Sequence, residues 1–376
     1  MRVGRNSWGA GLTPRLRLSR RSVLAGMAGV VVLGGRPLRA QPATDVTFLF
    51  INDVHACRTR DGLSPNCQEE GKTDENLLRH IRAINRIEEA TWPADIGGMA
   101  TGLRSAGEKV ATPRGIALAG DMTDDGGGQT AEPEEGYQLL QFSQRYQQGD
   151  GEDEVHFPVY AGLGNHDLDQ DGPKDNVDWY RRELRDYVEM SHRPGLFFKP
   201  IVPADNYDVA SDCYSWNWDG LHLVQLHRFG GDTNKGAASS LGWLVQDLKQ
   251  HAADGRPVIL FQHYGWDTFS IERWDPAAVT FDDEGAGPPH WWSEEERATL
   301  LDTVKPYNIA GIFHGHEHDV PMIYNRGGYD LFKPTAAFMG GLGLARVTDG
   351  FMDVALGEAT DAGGVRFLKA MSKPLP

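Results

Sequence analysis

Val46-Thr47-Phe48-Leu49-Phe50-Ile51 runs without a break into Asn52-Asp53-Val54-His55. Six residues suited to a buried strand deliver an amide, a carboxylate and an imidazole. A short, nearly continuous apolar run of this kind reads as a strand covered on both faces. The design recurs four times. Gly115 to Ala119 runs into Gly120-Asp121, and Phe157 to Leu163 into Gly164-Asn165-His166-Asp167. Pro257 to Phe261 runs into Gln262-His263, and Ile309 to Phe313 into His314-Gly315-His316-Glu317-His318. Amphipathic patterns between them predict helices over Asn76 to Glu89, Gly136 to Tyr146, Trp179 to Met190 and Leu241 to His251. Strand, polar turn and helix in alternation make an α/β chain. Ligands bind such sheets beyond the carboxyl ends of the strands, where all five polar clusters lie.

The clusters gather Asp53, His55, Asp121, Asn165, His166, His263, His316 and His318. Nitrogen and oxygen donors suit zinc, iron, manganese or cobalt better than copper(I) or an iron–sulfur cluster. On an extended chain, alternation sets Asp53 and His55 on one side, and His316 and His318 likewise. A carboxylate shared between two ions holds them about 3.5–4 Å apart.

The five motifs, in this order, are similar to those of the calcineurin-like metallophosphoesterase superfamily. They are Asp53-Val54-His55, Gly120-Asp121, Gly164-Asn165-His166-Asp167, His263 and Gly315-His316-Glu317-His318, and the likeness extends from residue 46 to about 345. It implies a four-layer α/β/β/α sandwich of two mixed β-sheets flanked by helices, with 45–376 as one domain. Trp216 to His222 resembles the strand before the helix ending near His251. Leu342 to Met371 alternates enough to close one sheet.

The resemblance also implies two metal ions, iron, manganese or zinc. Asp53, His55 and His318 would hold the first, Asn165, His263 and His316 the second, and Asp121 would bridge them. His166, oriented by Asp167, would bind the phosphoryl group or protonate the leaving oxygen. Two cations polarise phosphoryl oxygens and bring a bridging water toward neutrality, and an imidazole suits the departing alkoxide. The implied activity is phosphoester hydrolysis, first of a phosphomonoester. A phosphodiesterase acting on phospholipid or nucleotide diesters is the alternative, and a non-catalytic periplasmic metal- or phosphate-binding protein is the alternative of another class. Purple acid phosphatases carry a tyrosine three residues after the bridging aspartate. Asp124 stands there, so no iron–tyrosinate absorption is expected.

Residues 1–40 stand apart. They hold eight arginines and no acidic residue, and Ser19-Arg20-Arg21-Ser22-Val23-Leu24 precedes an apolar run from Ala25 to Gly35. A charged segment, an apolar run and a small residue at Ala40 resemble a twin-arginine export signal. The expected partner is the twin-arginine export machinery and the expected location periplasmic or secreted. The run is too short to span about 30 Å of hydrocarbon as a helix. The whole chain has 37 basic and 53 acidic residues, a net of −16. Without the leader the net falls to about −24, which disfavours nucleic acid as a main partner because its binding rests on Lys and Arg. No second long apolar run exists, so no stable membrane insertion is expected. Oligomeric state is not legible.

Cys57 and Cys67 lie ten residues apart beside the first motif. A disulfide in an oxidising compartment is one reading, and Cys57 as a metal ligand another. His222, His227 and His314 read as buried or supporting histidines. Asp124 and Asp125 read as turn residues, or as groups reaching the site through water. The aromatic-rich stretch 264–292 is either a wall against the leaving group or packing beneath a long loop.

Overall fold

The first apolar run forms β1 (Asp45–Ile51), buried beyond its first residue. β2 (Ile116–Leu118) and β3 (Val159–Tyr160) follow parallel to it. The computed structural model describes residues 43–63, 65–126, 137–168, 177–195, 197–233, 237–266, 274–275, 280–281 and 292–376. The export-signal reading therefore lies outside the described residues, as do much of the 264–292 stretch and the loop after Gly126.

The chain next builds β4 (Asn206–Tyr207), β5 (Tyr214–Trp218) and β6 (Leu221–Gln225). Trp218 pairs with Leu221 across the two-residue turn Asp219-Gly220, a favoured hairpin sequence. β7 (Val258–Phe261) and β8 (Ile309–Phe313) add parallel to β6, and β9 (Met322–Arg326) with β10 (Tyr329–Lys333) completes that sheet. β11 (Gly341–Thr348), β12 (Phe351–Ala359) and β13 (Val365–Pro374) return as an antiparallel meander beside β1. This is the closing segment expected from the alternation after Leu342.

Two mixed sheets result. One has six strands in the order β13-β12-β11-β1-β2-β3, the other seven in the order β9-β10-β8-β7-β6-β5-β4. They meet face to face through aromatic rings. Phe48 and Phe50 of β1 stand 5.9 and 4.4 Å from Phe313 of β8, and Phe48 lies 6.0 Å from Phe261 of β7. Edge-to-face contacts of this kind add to plain area burial.

Helices cover the outside. α1 (Asp74–Asn85) starts at Thr73, whose hydroxyl caps Asn76 N, and buries Leu77, Ile81 and Ile84. It packs on β12. The pattern over 76–89 is divided here: the helix stops at Asn85 and Ile87–Glu89 form a separate 3-10 turn. α2 (Tyr137–Tyr146), α3 (Val177–His192) and α4 (Leu241–His251) fall on their predicted segments. α5 (Glu294–Val304) was not foreseen. Its buried residues are Arg297, Leu300 and Val304, too sparse for a clear period, yet Ser293 and Glu296 form a full capping box. Leu244 and Leu248 of α4, with Leu300 and Val304 of α5, cover Val224, Leu260 and Ile312 of the second sheet. The layers are helix, sheet, sheet, helix. Among the described residues, no helix is long and apolar enough to cross a membrane.

Candidate metal centre

β1, β2 and β3 in one sheet, and β7 and β8 in the other, end at the same edge of the sandwich. The turns after them are unusual in backbone. Asp53 (φ 53°), His55 (47°), Asp121 (55°) and His316 (79°) are four of the seven non-glycine residues with positive φ among the described residues. Left-handed backbone costs an ordinary residue about 1–2 kcal/mol, and such strain collects at functional sites. This corrects the extended alternation expected for Asp53-Val54-His55 and His316-Glu317-His318. The chain coils at these residues instead. Val54 N and His55 N both donate to the Asp121 carbonyl, at 2.8 and 3.1 Å, and Asp53 N to the Gly120 carbonyl at 3.0 Å. The first two motif turns are thereby fastened to each other.

The motif glycines are steric necessities. A Cβ on Gly120 would lie 2.6 Å from the His263 ring. On Gly164 it would lie 2.1 Å from the Asp121 carboxylate, and on Gly315 2.6 Å from that of Asp53. Each glycine lets backbone approach a site side chain that any larger residue would displace.

Among the described residues, four groups of side chains bring their ligand atoms within 4.8 Å of one another. His55, Asp124 and His166 form one, and Asp124 with Cys57 and Cys67 another. The other two are built wholly from motif ligands: Asp53, His55 and His318, and Asp121, His263 and His316. His318 Nε2 is 3.4 Å from Asp53 Oδ1 and 3.2 Å from His55 Nε2. Asn165 Oδ1 is 2.8 Å from His263 Nε2, so the amide joins the second group. The two groups touch at Asp121, whose Oδ2 is 3.1 Å from His263 Nε2 and 3.6 Å from His55 Nε2. Asp53 Oδ2 is taken up by Asn52 Nδ2 (2.5 Å) and His316 N (3.0 Å). Asp121 Oδ1 accepts from His166 N at 2.9 Å. In both carboxylates the other oxygen, Asp53 Oδ1 and Asp121 Oδ2, is buried without a hydrogen-bond partner. Orphaned acceptors ringed by imidazoles are what a cation fits. His263 Nδ1 donates to the Ala119 carbonyl at 2.8 Å, which leaves Nε2 to face the centre.

Burial opposes every charge here. The imidazoles of His263, His318 and His55 nonetheless hold Asp53 well below the usual carboxylate range. His263 and His166 do the same for Asp121. Burial would lower His263, but Asp121 and Asp53 raise it to about 9. A proton on His263 therefore balances the carboxylates where a cation is absent, and metal binding must displace it. Burial, then the neighbouring His263 charge, depress His316 strongly.

His166 lies beside the first group, its ring 4.6 Å from that of His55. Its Nδ1 bonds the Asp124 carbonyl. The expected orientation by Asp167 is not what the structure shows. The Asp167 carboxylate accepts from Met122 N, Thr123 N, the Thr123 hydroxyl and Gly164 N, all at 2.9–3.0 Å. It braces the turn that carries Asp121. Burial and the Asp121 charge push it up to about 6 against those amides.

Asp124 is more than a turn residue. Its Oδ1 lies 3.1 Å from His55 Nδ1 and 2.6 Å from Lys72 Nζ. A carboxylate behind a ligand histidine fixes its tautomer. Sequence reading passed over Lys72, which is buried in a loop with no apolar pattern to mark it. Phe338 was missed too; its ring packs edge-on against His55 (5.5 Å) and His318 (5.2 Å). Cys57 and Cys67 form a disulfide with Cα atoms 6.4 Å apart, so Cys57 is no ligand in this state.

His222 is structural, bonded to Asp247 (2.8 Å) and Asn217 (2.9 Å). His227 Nδ1 accepts from Leu163 N (3.1 Å), and His314 Nε2 meets the Tyr324 hydroxyl (2.8 Å). Tyr264 lies 4.7 Å from His316, ring to ring. Trp266 and Trp292 are buried 4.3 Å apart in the cluster under α5. Phe269 and Trp291, and the side chains of Trp274 and Phe281, lie outside the described residues.

The calcineurin-like phosphoesterase family profile matches residues 46–320. That is well over half of the chain, and the chain belongs to this family. It is a metal-dependent phosphoester hydrolase. No curated protein matches. Among solved structures, a dimetal phosphatase from Danio rerio is 12% identical, with a TM-score of 0.49 over 89% of this chain and 100% of that one. A purple acid phosphatase from yellow lupin, Lupinus luteus, is 13% identical at a TM-score of 0.49, over 88% of this chain and 54% of its own. A calcineurin-like phosphoesterase from Bacillus subtilis is 12% identical at a TM-score of 0.34, over 89% and 91%.

Proposed function

We propose that the chain is an exported, two-metal phosphomonoesterase. One observation carries the two-metal reading: Asp121 Oδ2, an oxygen without a hydrogen-bond partner, faces one histidine of each ligand group, His55 and His263. Asp53, His55 and His318 would hold one ion, and Asn165, His263 and His316 the other, with Asp121 between. Iron, manganese and zinc all suit these donors. When bound, such a pair supplies Lewis acidity to the phosphoryl oxygens and an acidified water.

The protein's own groups do the rest. With Nδ1 engaged on the Asp124 carbonyl, His166 keeps Nε2 for the phosphoryl group or the leaving oxygen. Asp124 orients His55, and Asp167 braces the Asp121 turn. The monoester reading rests on charge. A monoester dianion places more negative charge against two cations and an imidazole than a diester monoanion does.

The test compares p-nitrophenyl phosphate with bis-p-nitrophenyl phosphate on metal-loaded protein lacking residues 1–40, with Asp121→Asn as blank. A large monoester preference is expected. A diester preference would move the proposal to phospholipid or nucleotide diesters. Stoichiometric metal without turnover on either ester would favour a binding protein. For export, the support is the Arg20-Arg21 signal and a disulfide that suits an oxidising compartment. Replacing both arginines by lysine should leave the protein in the cytoplasmic fraction, and unchanged export would refute the twin-arginine assignment.

A further inference from the structure

Glu317 separates the two histidines of Gly315-His316-Glu317-His318, a position to which the motif assigns no chemistry. Its carbonyl and its carboxylate converge on one side chain. Lys333 Nζ donates to Glu317 O and to Glu317 Oε2, both at 2.5 Å, and lies 3.4 Å from the Pro334 carbonyl. Lys333 ends β10 and is wholly buried. Beside it, His314 N donates to Phe332 O at 3.0 Å, so the lysine sits where β8 gives way to the histidine turn. The Glu317 carboxylate in turn receives Asp319 N (3.1 Å) and Val320 N (3.3 Å). One buried ammonium thus holds the middle of the turn, while His316 N is tied to Asp53 Oδ2 and the His318 carbonyl to Ala336 N.

The pair joins the two ligand groups. His316 belongs with Asp121 and His263, and His318 with Asp53 and His55. Burying an ammonium is costly, and an apolar residue of similar volume serves a core at least as well. What the lysine adds is direction: it fixes a carbonyl and a carboxylate between two ligands. We propose that Lys333 and Glu317 are positioning residues acting on both metal groups at once, through the one turn that supplies a histidine to each. This rests on the metal-binding reading above.

The consequence is a stoichiometric signature. Asp124 touches His55 and so acts on the first group alone. Loss of the Lys333–Glu317 pair should release both ions together. The experiment follows metal content by mass spectrometry while loaded protein is challenged with a chelator, and records the melting of the metal-free form. Wild type should hold about two ions and lose them slowly. Lys333→Met should lose both in one phase, about tenfold or more faster. Asp124→Ala should lose one ion fast and the other near the wild-type rate. Glu317→Gln keeps an acceptor for Lys333 but leaves the buried ammonium without its counter-charge and turns an amide NH₂ toward Asp319 N or Val320 N. It should therefore also release both ions together, faster than wild type.

If Lys333→Met does not fold, the double variant Lys333→Met/Glu317→Gln removes the stranded carboxylate and still lacks the tether. It should show the same fast, joint release. Wild-type release rates in either variant, or loss of only one ion, would overturn the proposal. Wild-type protein that holds no metal would instead defeat the phosphoesterase reading of the site, a separate result.

Discussion

Asp121 is the residue on which the site turns. Its backbone is left-handed, its carbonyl receives two amides of the first motif, and its free oxygen faces histidines of both groups. Asp121→Asn keeps the shape but replaces the shared anionic oxygen with a neutral amide. Turnover should vanish and metal content should fall, read by phosphate release and by metal analysis of the same sample. His166 makes the contrasting case. Its side chain is in neither of the two groups assigned to the ions, although it forms a further group with His55 and Asp124. His166→Ala should keep both metals and lose about 10²–10⁴-fold in kcat, the usual worth of a positioned acid. Metal loss in that variant would instead make His166 a ligand. Asp124→Asn is expected to weaken metal retention by about 10–100-fold, as removal of a ligand's supporting carboxylate does.

At the scale of elements, the question is what the aromatic stretch after His263 does. Trp266 and Trp292 pack edge to face in the cluster with Phe229 and Leu300, and Trp292 Nε1 donates to the Gly265 carbonyl at 3.1 Å. They pin α5 and the end of the His263 turn to the second sheet. Trp266→Ala and Trp292→Ala should each cost about 3–5 kcal/mol of stability while KM for a bulky aryl phosphate stays put. A raised KM at unchanged melting would restore the substrate-wall reading. The strands were legible because each is a buried apolar run that stops at a polar cluster. Their joining at one edge follows from parallel order. The turns were not legible, since nothing in Asp53-Val54-His55 announces left-handed backbone; that is imposed by carbonyls of Gly120 and Asp121, which lie far along the chain. Lys72 and Lys333 escaped for a related reason. They support ligands from loops and strand ends with no periodicity to mark them. In the sequence, Asp124 stands between a turn residue and a group reaching the site through water. α5 did carry its signal, Ser293 and Glu296, which a search for apolar faces passes over.

For the molecule as a whole, buried neutral histidines set how it meets acid. His192 lies between sheet and loop, its Nδ1 donating to the Val202 carbonyl at 2.8 Å and its Nε2 accepting from Ala161 N at 3.1 Å. A second proton would set one N–H against another. Burial lowers His192 to about 3, and it lowers His80, paired with the Tyr146 hydroxyl, to about 3 as well. Both pKa values are depressed relative to about 6.5 in the unfolded chain. Their stabilising contribution is therefore complete above pH 6.5 and is lost as pH falls toward 3, because the unfolded chain binds the protons first. Between pH 7 and pH 5 each should remove about 2 kcal/mol. Urea unfolding of the metal-free protein at pH 7, 6 and 5 reads this directly, free of the coupling between metal and protons at the site. His192→Gln keeps a donor and an acceptor but cannot titrate. It should be less stable than wild type at pH 7, yet its decline to pH 5 should be shallower by about 2 kcal/mol. Parallel declines in the two proteins would mean that His192 is already protonated in the fold. The Ala161 amide would then have to find another acceptor.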